Sequence, residues 1–364
     1  MTDILYGSAP SLFSGKARAY LDWKGIDYRE VAADQKTRDE LIIPTIGRMV
    51  IPVIKTADGT VLQDTSVIID HYEKSASGPS VYPSGPRQRF AALLLECFGD
   101  EWLVIPALHY RWHYNEEWIY SEFGRSMAPD APAEQHVAIG KAIGERFLGF
   151  VPMLGISEAS IPAIEASYEA LLGELNAHFT QHDFLFGSRP SIGDFGLIGP
   201  LYAHLYRDPA SGEIMKRLAP KVAQWVERMV QVDAPQSGEF LPDDAIPQTL
   251  LPILRRMMDE QLPNLLRIAE LTAEWGKASA DRELPRAVGM AEYTLGGVAS
   301  ARMATPFSLW MLQRALDQID AFDGQGRAAC EALLRDVGGA ALIDFPMPFR
   351  LTFESHRLWR EEKT

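Results

Sequence analysis

The sequence predicts a small α/β domain, then an all-helical domain, and after them a mostly helical third region. Short apolar runs alternate with helical patterns over the first 75 residues, and helical periodicity dominates residues 89–232. A cluster of Pro, Gly and Ser then begins a new region at residue 233. With 364 residues, 47% of them hydrophobic, the chain is long and apolar enough for about two or three domains.

The first domain, residues 1–75, is expected to fold in the order βαβ–α–ββα. We expect strands at residues 4–6, 28–31, 50–54 and 60–62, and helices at residues 14–24, 38–41 and 65–73. A proline inside a strand normally marks an edge or a break, because proline cannot donate a ladder hydrogen bond. At Pro52 the apolar run resumes at once, so we expect a cis bond between Ile51 and Pro52.

The rest of the chain divides by composition. Residues 76–88 are rich in Pro, Gly and Ser and are expected to form a linker. Residues 89–232 carry the periodicity of amphipathic helices and are expected to form the helical domain. Residues 233–364 are expected to form a mostly helical extension packed on that domain. Within it, we expect a β-hairpin near residues 290–303, around the Gly296–Gly297 turn.

The charge balance limits the partners of the protein. The chain has 35 basic and 49 acidic residues, so its net charge is −14. A phosphate backbone is held by clustered Lys and Arg, and the sequence contains no such cluster. Nucleic acid is therefore not an expected ligand, and an anionic membrane surface is not an expected partner.

The cysteines and the first residues bear on compartment and metals. Cys97 and Cys330 are the two cysteines, too few for a disulfide framework or a cysteine metal site. His109 and His113 have helical i, i+4 spacing but lack a nearby third ligand, so no metal is expected. Met1–Tyr6 shows no basic segment followed by a long apolar run, so no signal peptide is expected, and no apolar run approaches the ~20 residues of a membrane span. The cytoplasm is the expected location.

Ser11 precedes the first predicted helix and belongs to the first of three local patterns. That pattern runs from Leu5 to Leu21 and also contains Ser14. A hydroxyl donor at the positive end of a helix stabilises a thiolate and lowers the pKa of a bound thiol. A serine in this place also suits a plain helix cap, and the residues alone leave both roles open.

The second and third patterns each mark the start of a helix. In the second, the Pro52 strand is followed by Asp64–Thr65, which offers a carboxylate for an ammonium group and a hydroxyl with free amides for a carboxylate. The same pair also suits an ordinary cap, and the two roles are compatible. In the third, Ser191 and Asp194 form a capping box before an apolar run.

In this order the three patterns resemble the glutathione S-transferase superfamily, of the serine type and bacterial-like, over about residues 3–230. The resemblance implies a thioredoxin-like first domain with a mixed four-stranded sheet, and an all-helical second domain. The sequence departs from the family at Asp64–Thr65, where Glu/Gln–Ser is commoner, and at Ile43–Pro44, where Asn–Pro is usual. The spacing from Gly47 to Pro52 is also two residues longer, and the extension has no counterpart.

The resemblance also implies the roles of site residues. Ser11 would face the glutathione sulfur as the catalytic hydroxyl. Ile51 and Pro52 would present backbone to the cysteinyl part of glutathione, and Asp64 and Thr65 would hold its γ-glutamyl end. No metal belongs to this site; glutathione enters as a co-substrate.

A second group of site residues lies at the start of the helical domain. Tyr110, Arg111 and His113 belong to an aromatic and cationic run on the helix that lines the electrophile site in the family. The other interpretation is a set of partly buried aromatics whose cations extend to solvent.

Together with the resemblance, these patterns indicate a glutathione transferase that activates the thiol of glutathione for attack on a small electrophile. The alternative is a binding or interaction protein that keeps the fold without catalysis. The resemblance further implies a homodimer. The absence of cysteine near the site argues against thiol exchange, which requires a protein thiolate.

Overall fold

The computed structural model describes residues 2–232 and 237–361. The predicted region boundary at Asp233 and Pro235 lies outside the described residues. The first domain contains these elements: β1 (Asp3–Tyr6), α1 (Leu12–Lys24), β2 (Tyr28–Val31), α2 (Gln35–Thr37), a π-helical stretch (Arg38–Ile42), α3 (Ile43–Ile46), β3 (Val53–Lys55), β4 (Val61–Gln63) and α4 (Thr65–Ser75).

The first domain has the predicted mixed four-stranded sheet. Its strand order is β2-β1-β3-β4, with β1 and β2 parallel and the other two pairs antiparallel. The bond between Ile51 and Pro52 is cis, as predicted. The predicted start of the third strand at Val50 is wrong, because β3 begins at Val53, after the proline that cannot donate to the ladder.

The helical domain begins inside the segment predicted as a linker. Pro86 stands at the first turn of α5, where its missing N–H costs no hydrogen bond. Asp244 of the extension caps this helix, because its carboxylate accepts the N–H groups of Arg87 at 2.8 Å and Gln88 at 2.9 Å. The domain contains these helices: α5 (Pro86–Glu101), α6 (Val104–Tyr114), α7 (Glu116–Met127), α8 (Ala133–Leu148), a 3-10 turn (Pro152–Leu154), α9 (Ile161–Phe179), α10 (Ile192–Ala203), α11 (Pro209–Leu218) and α12 (Pro220–Met229).

Helix α10 runs through the centre of the helical domain. The predicted capping box is present. The Ser191 side chain accepts the backbone N–H of Asp194, and the Asp194 side chain accepts the backbone N–H of Ser191. The indole of Trp225 also donates to Asp194 at 3.1 Å. Gly196 allows α10 to cross α5 closely, since a Cβ there would stand 2.4 Å from the Cα of Glu96. The capping box thus fixes the start of a helix that packs directly against α5.

The extension is mostly helical, as predicted, and includes the predicted β-hairpin. The hairpin turn at Gly296–Gly297 has positive φ at both residues. A second hairpin was not predicted, and its turn residues Ser355 and His356 adopt positive φ without glycine. The described elements are these: two 3-10 turns (Pro242–Asp244 and Gln248–Leu250), α13 (Leu251–Glu260), α14 (Leu262–Ala278), β5 (Met290–Leu295), β6 (Val298–Met303), α15 (Pro306–Ala321), α16 (Gly324–Asp336), a 3-10 turn (Ala340–Leu342), β7 (Leu351–Glu354) and β8 (Arg357–Arg360).

The extension packs on the helical domain along α5. Helices α15 and α16 lie against α5, and Leu309, Met311 and Leu312 of α15 are buried in one continuous apolar core with it. Cys97 on α5 and Cys330 on α16 are both buried free thiols. In the described part of the chain, no helix combines the length and apolar character needed to cross a membrane.

Candidate functional site

The sheet register brings the three predicted ligand-binding segments to one edge. Tyr6 at the end of β1 pairs with Val53 at the start of β3, and Val53 pairs with Gln63 at the end of β4. The Ser11 loop follows Tyr6, the cis proline precedes Val53, and Asp64 follows Gln63. Three segments distant in sequence therefore converge at the same end of the sheet.

Ser11 is the N-cap of α1. Its Oγ accepts the N–H of Ser14 at 3.2 Å, and its own N–H donates to the carbonyl of Ser8 at 3.0 Å. The cap uses a lone pair of the hydroxyl and leaves the O–H proton free to donate elsewhere. The first turn of α1 contains no acidic residue, so the positive end of the helix keeps its effect on a nearby anion.

The neighbouring serines differ from Ser11 in accessibility. Ser14 is fully buried, and its Oγ accepts the N–H of Ser8 at 3.3 Å. The hydroxyl of Ser8 lies 3.2 Å from that of Ser126 on α7. Helix α7 therefore reaches the loop that carries Ser11, and Ser14 has no surface to offer a ligand.

Ile51 lies just outside the sheet, beside the buried ring of Pro52. In the described part of the chain, its N–H and C=O make no backbone hydrogen bond. Backbone N–H and C=O groups left free just beyond the end of a strand can pair with an extended peptide.

Asp64 begins α4 in an unusual backbone conformation. Its φ is 78°, a region that non-glycine residues rarely occupy and that recurs at ligand sites. The carboxylate accepts the N–H of Ser66 at 2.9 Å, while Thr65 is 2% exposed. Burial raises the pKa of the Asp64 carboxyl, although the nearby Lys16 opposes this shift.

Behind Asp64 lies a buried ionic network that was not predicted. Lys16 donates to Glu96 at 2.8 Å and to Asp100 at 2.5 Å, and it lies 3.4 Å from Ser66. Burial opposes the charge on Lys16, but Asp100 and Glu96 outweigh it and raise the pKa of the ammonium above its usual value. The network joins α1, α4 and α5, so it fixes the helix start that carries Asp64.

The extension joins this network through α15. Arg314 donates to Asp70 at 2.6 Å and to the Tyr82 hydroxyl at 3.1 Å, and it lies 3.4 Å from Glu96. The sulfur of Met311 lies 3.7 Å from the hydroxyl of Ser66. Helix α15 therefore supports the same helix start from the other side.

Arg111, predicted at the electrophile site, lies inside the scaffold. Its guanidinium makes a bidentate pair with Asp208, at 2.7 Å to each oxygen, and donates to the carbonyl of Ala203 at 2.7 Å. It also donates to the carbonyl of Pro10 at 2.6 Å. Because Pro10 precedes Ser11, this bond ties the Ser11 loop to the helical domain.

Tyr110 and His113 point in different directions. Tyr110 is 2% exposed and packs on Tyr168 of α9. His113 is exposed, and its Nδ1 donates to the carbonyl of His109 at 3.0 Å. Burial lowers the pKa of His109, and its Nε2–H donates to Glu165 at 2.9 Å. Among the described residues, no His, Cys, Asp or Glu group is arranged to hold a metal ion.

Two family models match the chain, one over the first domain and one over part of the helical domain. A model described as "Glutathione S-transferase, N-terminal domain" matches residues 5–80, which contain the sheet and the converging segments. A model described as "Glutathione S-transferase, C-terminal domain" matches residues 158–228, which contain the capping box. The chain belongs to the glutathione S-transferase superfamily. The two models leave residues 81–157, which contain α5 to α8, and the whole extension unmatched.

Solved structures give weaker likenesses. A GST-like protein from Pseudomonas syringae is 23% identical with a TM-score of 0.40, over 63% of this chain and 66% of that chain. The beta-etherase LigF from Sphingobium sp. strain SYK-6 is 19% identical with a TM-score of 0.47, over 64% of this chain and 97% of that chain. Glutathione transferase GSTFuA3 from Phanerochaete chrysosporium is 18% identical with a TM-score of 0.43, over 63% of this chain and 96% of that chain. No curated protein matches the chain.

Sequence reasoning missed the part of this candidate site that depends on long-range contacts. Lys16 and Glu96 are 80 residues apart, and Arg314 lies 218 residues beyond Glu96. Lys16 sits in the apolar phase of α1, and that position was the available signal for a buried charge.

Proposed function

We propose that this chain binds glutathione at the sheet edge and activates its thiol for attack on a small electrophile. The observation that supports the proposal is the register that joins Tyr6, Val53 and Gln63. This register brings together a helix-capping hydroxyl, the free backbone groups of Ile51 and an acidic helix start. Each suits a different part of the tripeptide.

Ser11 would act on the thiol. Its free O–H donates to the sulfur, and the N-terminus of α1 adds positive potential, so the thiol loses its proton to solvent near neutral pH. In a substitution, the thiolate forms a carbon–sulfur bond and the leaving group departs with the electron pair of the bond that breaks. In an addition, the thiolate forms the same bond, the π electrons of the double bond move onto the electrophile, and the electrophile then takes a proton from solvent.

Ile51, Asp64 and Thr65 would hold the rest of glutathione. The free backbone groups of Ile51 pair with the cysteinyl backbone, as in strand addition. The carboxylate of Asp64 meets the γ-glutamyl ammonium, and Thr65 with the first amides of α4 meets the adjacent carboxylate. Tyr110 and His113 remain candidates for electrophile contacts, whereas the contacts of Arg111 favour a role in positioning the Ser11 loop.

Cytoplasmic location and homodimer formation are part of the proposal. The face of α5 already carries α15 and α16 of the same chain. Because these helices cover that face of α5, a homodimer would form through a surface other than this face.

A non-catalytic binding or interaction protein that keeps this fold is the second candidate, and the extent of the extension favours it modestly. Two measurements on the wild type distinguish the candidates. Glutathione at 100 times its dissociation constant should stabilise the fold by ~2.7 kcal/mol, seen as a higher melting temperature. Ultraviolet titration of the complex should then reveal bound thiolate at neutral pH. Stabilisation without thiolate would favour the non-catalytic protein, and no stabilisation would contradict the proposed transferase.

A further inference from the structure

Beside the sheet edge, the extension brings arginines to the first domain. Arg357 lies against the loop before the cis proline, where a Cβ on Gly47 would stand 2.9 Å from its Nη2 atom. The next residue of that loop is Arg48. In an acidic chain of net charge −14, this is a local concentration of positive charge.

Strand pairing within the extension adds Arg286 to the same place. Residues 282–286 run along β8, with the N–H of Leu284 donating to Leu358 at 2.8 Å and the N–H of Arg360 donating to Arg282 at 2.9 Å. Glu283 on this segment pairs with Arg357 at 2.6 Å. The antiparallel direction carries Arg286 toward the His356–Arg357 turn, where Arg357 meets the loop of the first domain.

The arginines of this cluster are incompletely neutralised. In the described residues, neither Arg48 nor Arg286 makes a hydrogen bond or an ion pair, whereas other extension arginines, such as Arg327 and Arg350, pair with carboxylates. Burial and the charges of Arg286 and Arg357 lower the pKa of Arg48. Repulsion among three guanidinium groups is relieved when an anion binds between them.

We infer that Arg48, Arg286 and Arg357 form a carboxylate-binding site shared by the first domain and the extension. The inference rests on the proposed function, because the site lies beside Asp64 and would complete the same ligand pocket. Arg48 and Asp64 interact electrostatically, and Arg48 precedes Pro52 by four residues. If Asp64 takes the ammonium of glutathione, the cluster is left to take a carboxylate. That carboxylate is either the glycine end of glutathione or a group on the electrophile.

The test compares three probes: glutathione, glutathione ethyl ester with its glycine carboxylate blocked, and N-acetylglycine, which carries that carboxylate alone. Their affinities are measured by calorimetry or ligand NMR on the full chain. The variants are Arg286→Ala and Arg286→Ala with Arg357→Ala. Arg335→Ala, which removes an exposed extension arginine that pairs with Glu331, is the control for net charge.

If the cluster holds the glycine carboxylate, the wild type should bind glutathione about tenfold more tightly than the ester. The double variant should bind both equally, and Arg335→Ala should behave as the wild type. If the electrophile supplies the carboxylate, glutathione and its ester should bind equally. The double variant should then raise the KM of a carboxylate-bearing electrophile but not of a neutral one.

Unchanged glutathione affinity and unchanged KM in the double variant would overturn the site, while glutathione binding itself would survive. If glutathione fails to bind the wild type, the proposed function fails. N-acetylglycine then decides about the anion site, because its binding must weaken in Arg286→Ala.

Discussion

At the residue scale, Ser11 makes the most specific chemical prediction. As a helix cap, its Oγ accepts the Ser14 N–H and keeps its proton for a ligand. Ser11→Ala should leave glutathione affinity nearly unchanged, because Ile51, Asp64 and Thr65 hold the tripeptide. A hydrogen bond to a charged group contributes about 1.5–3 kcal/mol, so the pKa of the bound thiol should rise by about one to two units. Ultraviolet titration of bound thiolate measures this shift.

Two matched variants bracket the result. Ser11→Thr retains both the cap and the hydroxyl and should keep the wild-type thiol pKa. Asp64→Asn retains the cap acceptor and tolerates positive φ, but it should weaken binding without moving the thiol pKa. Equal thiol pKa values in the wild type and Ser11→Ala would remove Ser11 from the mechanism. Because Ser14 is fully buried, Ser8 would then be the next candidate.

Local backbone features and helix caps can be predicted from sequence, because they depend on a few adjacent residues. The cis bond at Pro52 and the capping box at Ser191 were predicted from a few adjacent residues, and both are present. The partners of Lys16 and Arg111 could not be predicted, because their carboxylates lie 80 and 97 residues away along the chain. The ligand roles of Ser11 and the other site residues stay predictions.

At the element scale, His178 joins α9 to the extension. Its ring lies 2.9 Å from the hydroxyl of Thr249 and 3.3 Å from the carbonyl of Phe184. The neutral ring satisfies both contacts, with Nε2–H donating to the carbonyl and Nδ1 accepting from the hydroxyl. Burial lowers the pKa of His178 from 6.5 to about 4.

This shift predicts acid destabilisation through His178. Between pH 6.5 and about 4 the unfolded chain binds a proton at this ring and the folded chain does not, so the free energy of unfolding falls as the pH falls. The full loss is about 3 kcal/mol from this group alone. Denaturant titrations at several pH values should show a smaller loss for His178→Gln, whose amide can donate and accept but does not titrate. Identical pH dependence in the two proteins would contradict the assignment.

The elements themselves were predicted where periodicity or turn chemistry is strong. The hairpin over β5 and β6 was predicted from its two glycines, which favour the turn that a hairpin needs. The hairpin over β7 and β8 was missed because Ser355 and His356 give no such signal. The start of α5 was misplaced because a proline such as Pro86 is typical both of a linker and of the first turn of a helix. The residue that caps α5, Asp244, is also distant in sequence.

At the scale of the whole molecule, the extension is part of the same core as the two matched domains. It caps α5 through Asp244, enters the ionic network through Arg314 and buries Leu309, Met311 and Leu312 against α5. The sequence predicted a packed extension. It gave no indication that α15 would support the helix start at Asp64, because that requires contacts across more than 200 residues.

This packing predicts that the extension stays bound after the chain is cut. A specific protease site placed at residues 233–236 would divide the protein into the family-matched part and the extension. Each fully buried Leu or Met contributes about 1.5–3 kcal/mol, so the three apolar side chains of α15 alone give several kcal/mol to the association. The two fragments should therefore elute together in gel filtration at micromolar concentration, with a single thermal transition.

Arg314→Ala tests the ionic part of this interface in the cut protein. The substitution leaves Asp70 and the buried Glu96 without their arginine, and breaking a buried ion pair is strongly destabilising. The fragments should dissociate at a lower denaturant concentration than in the wild type, whereas Arg335→Ala, on the exposed side of α16, should have no effect. Separate elution of a stable residue 1–232 fragment with an unchanged melting temperature would show that the extension is a dispensable appendage. If glutathione binding is lost only when the fragments dissociate, the extension contributes to the site, because α15, Arg286 and Arg357 all belong to the fragment that is released.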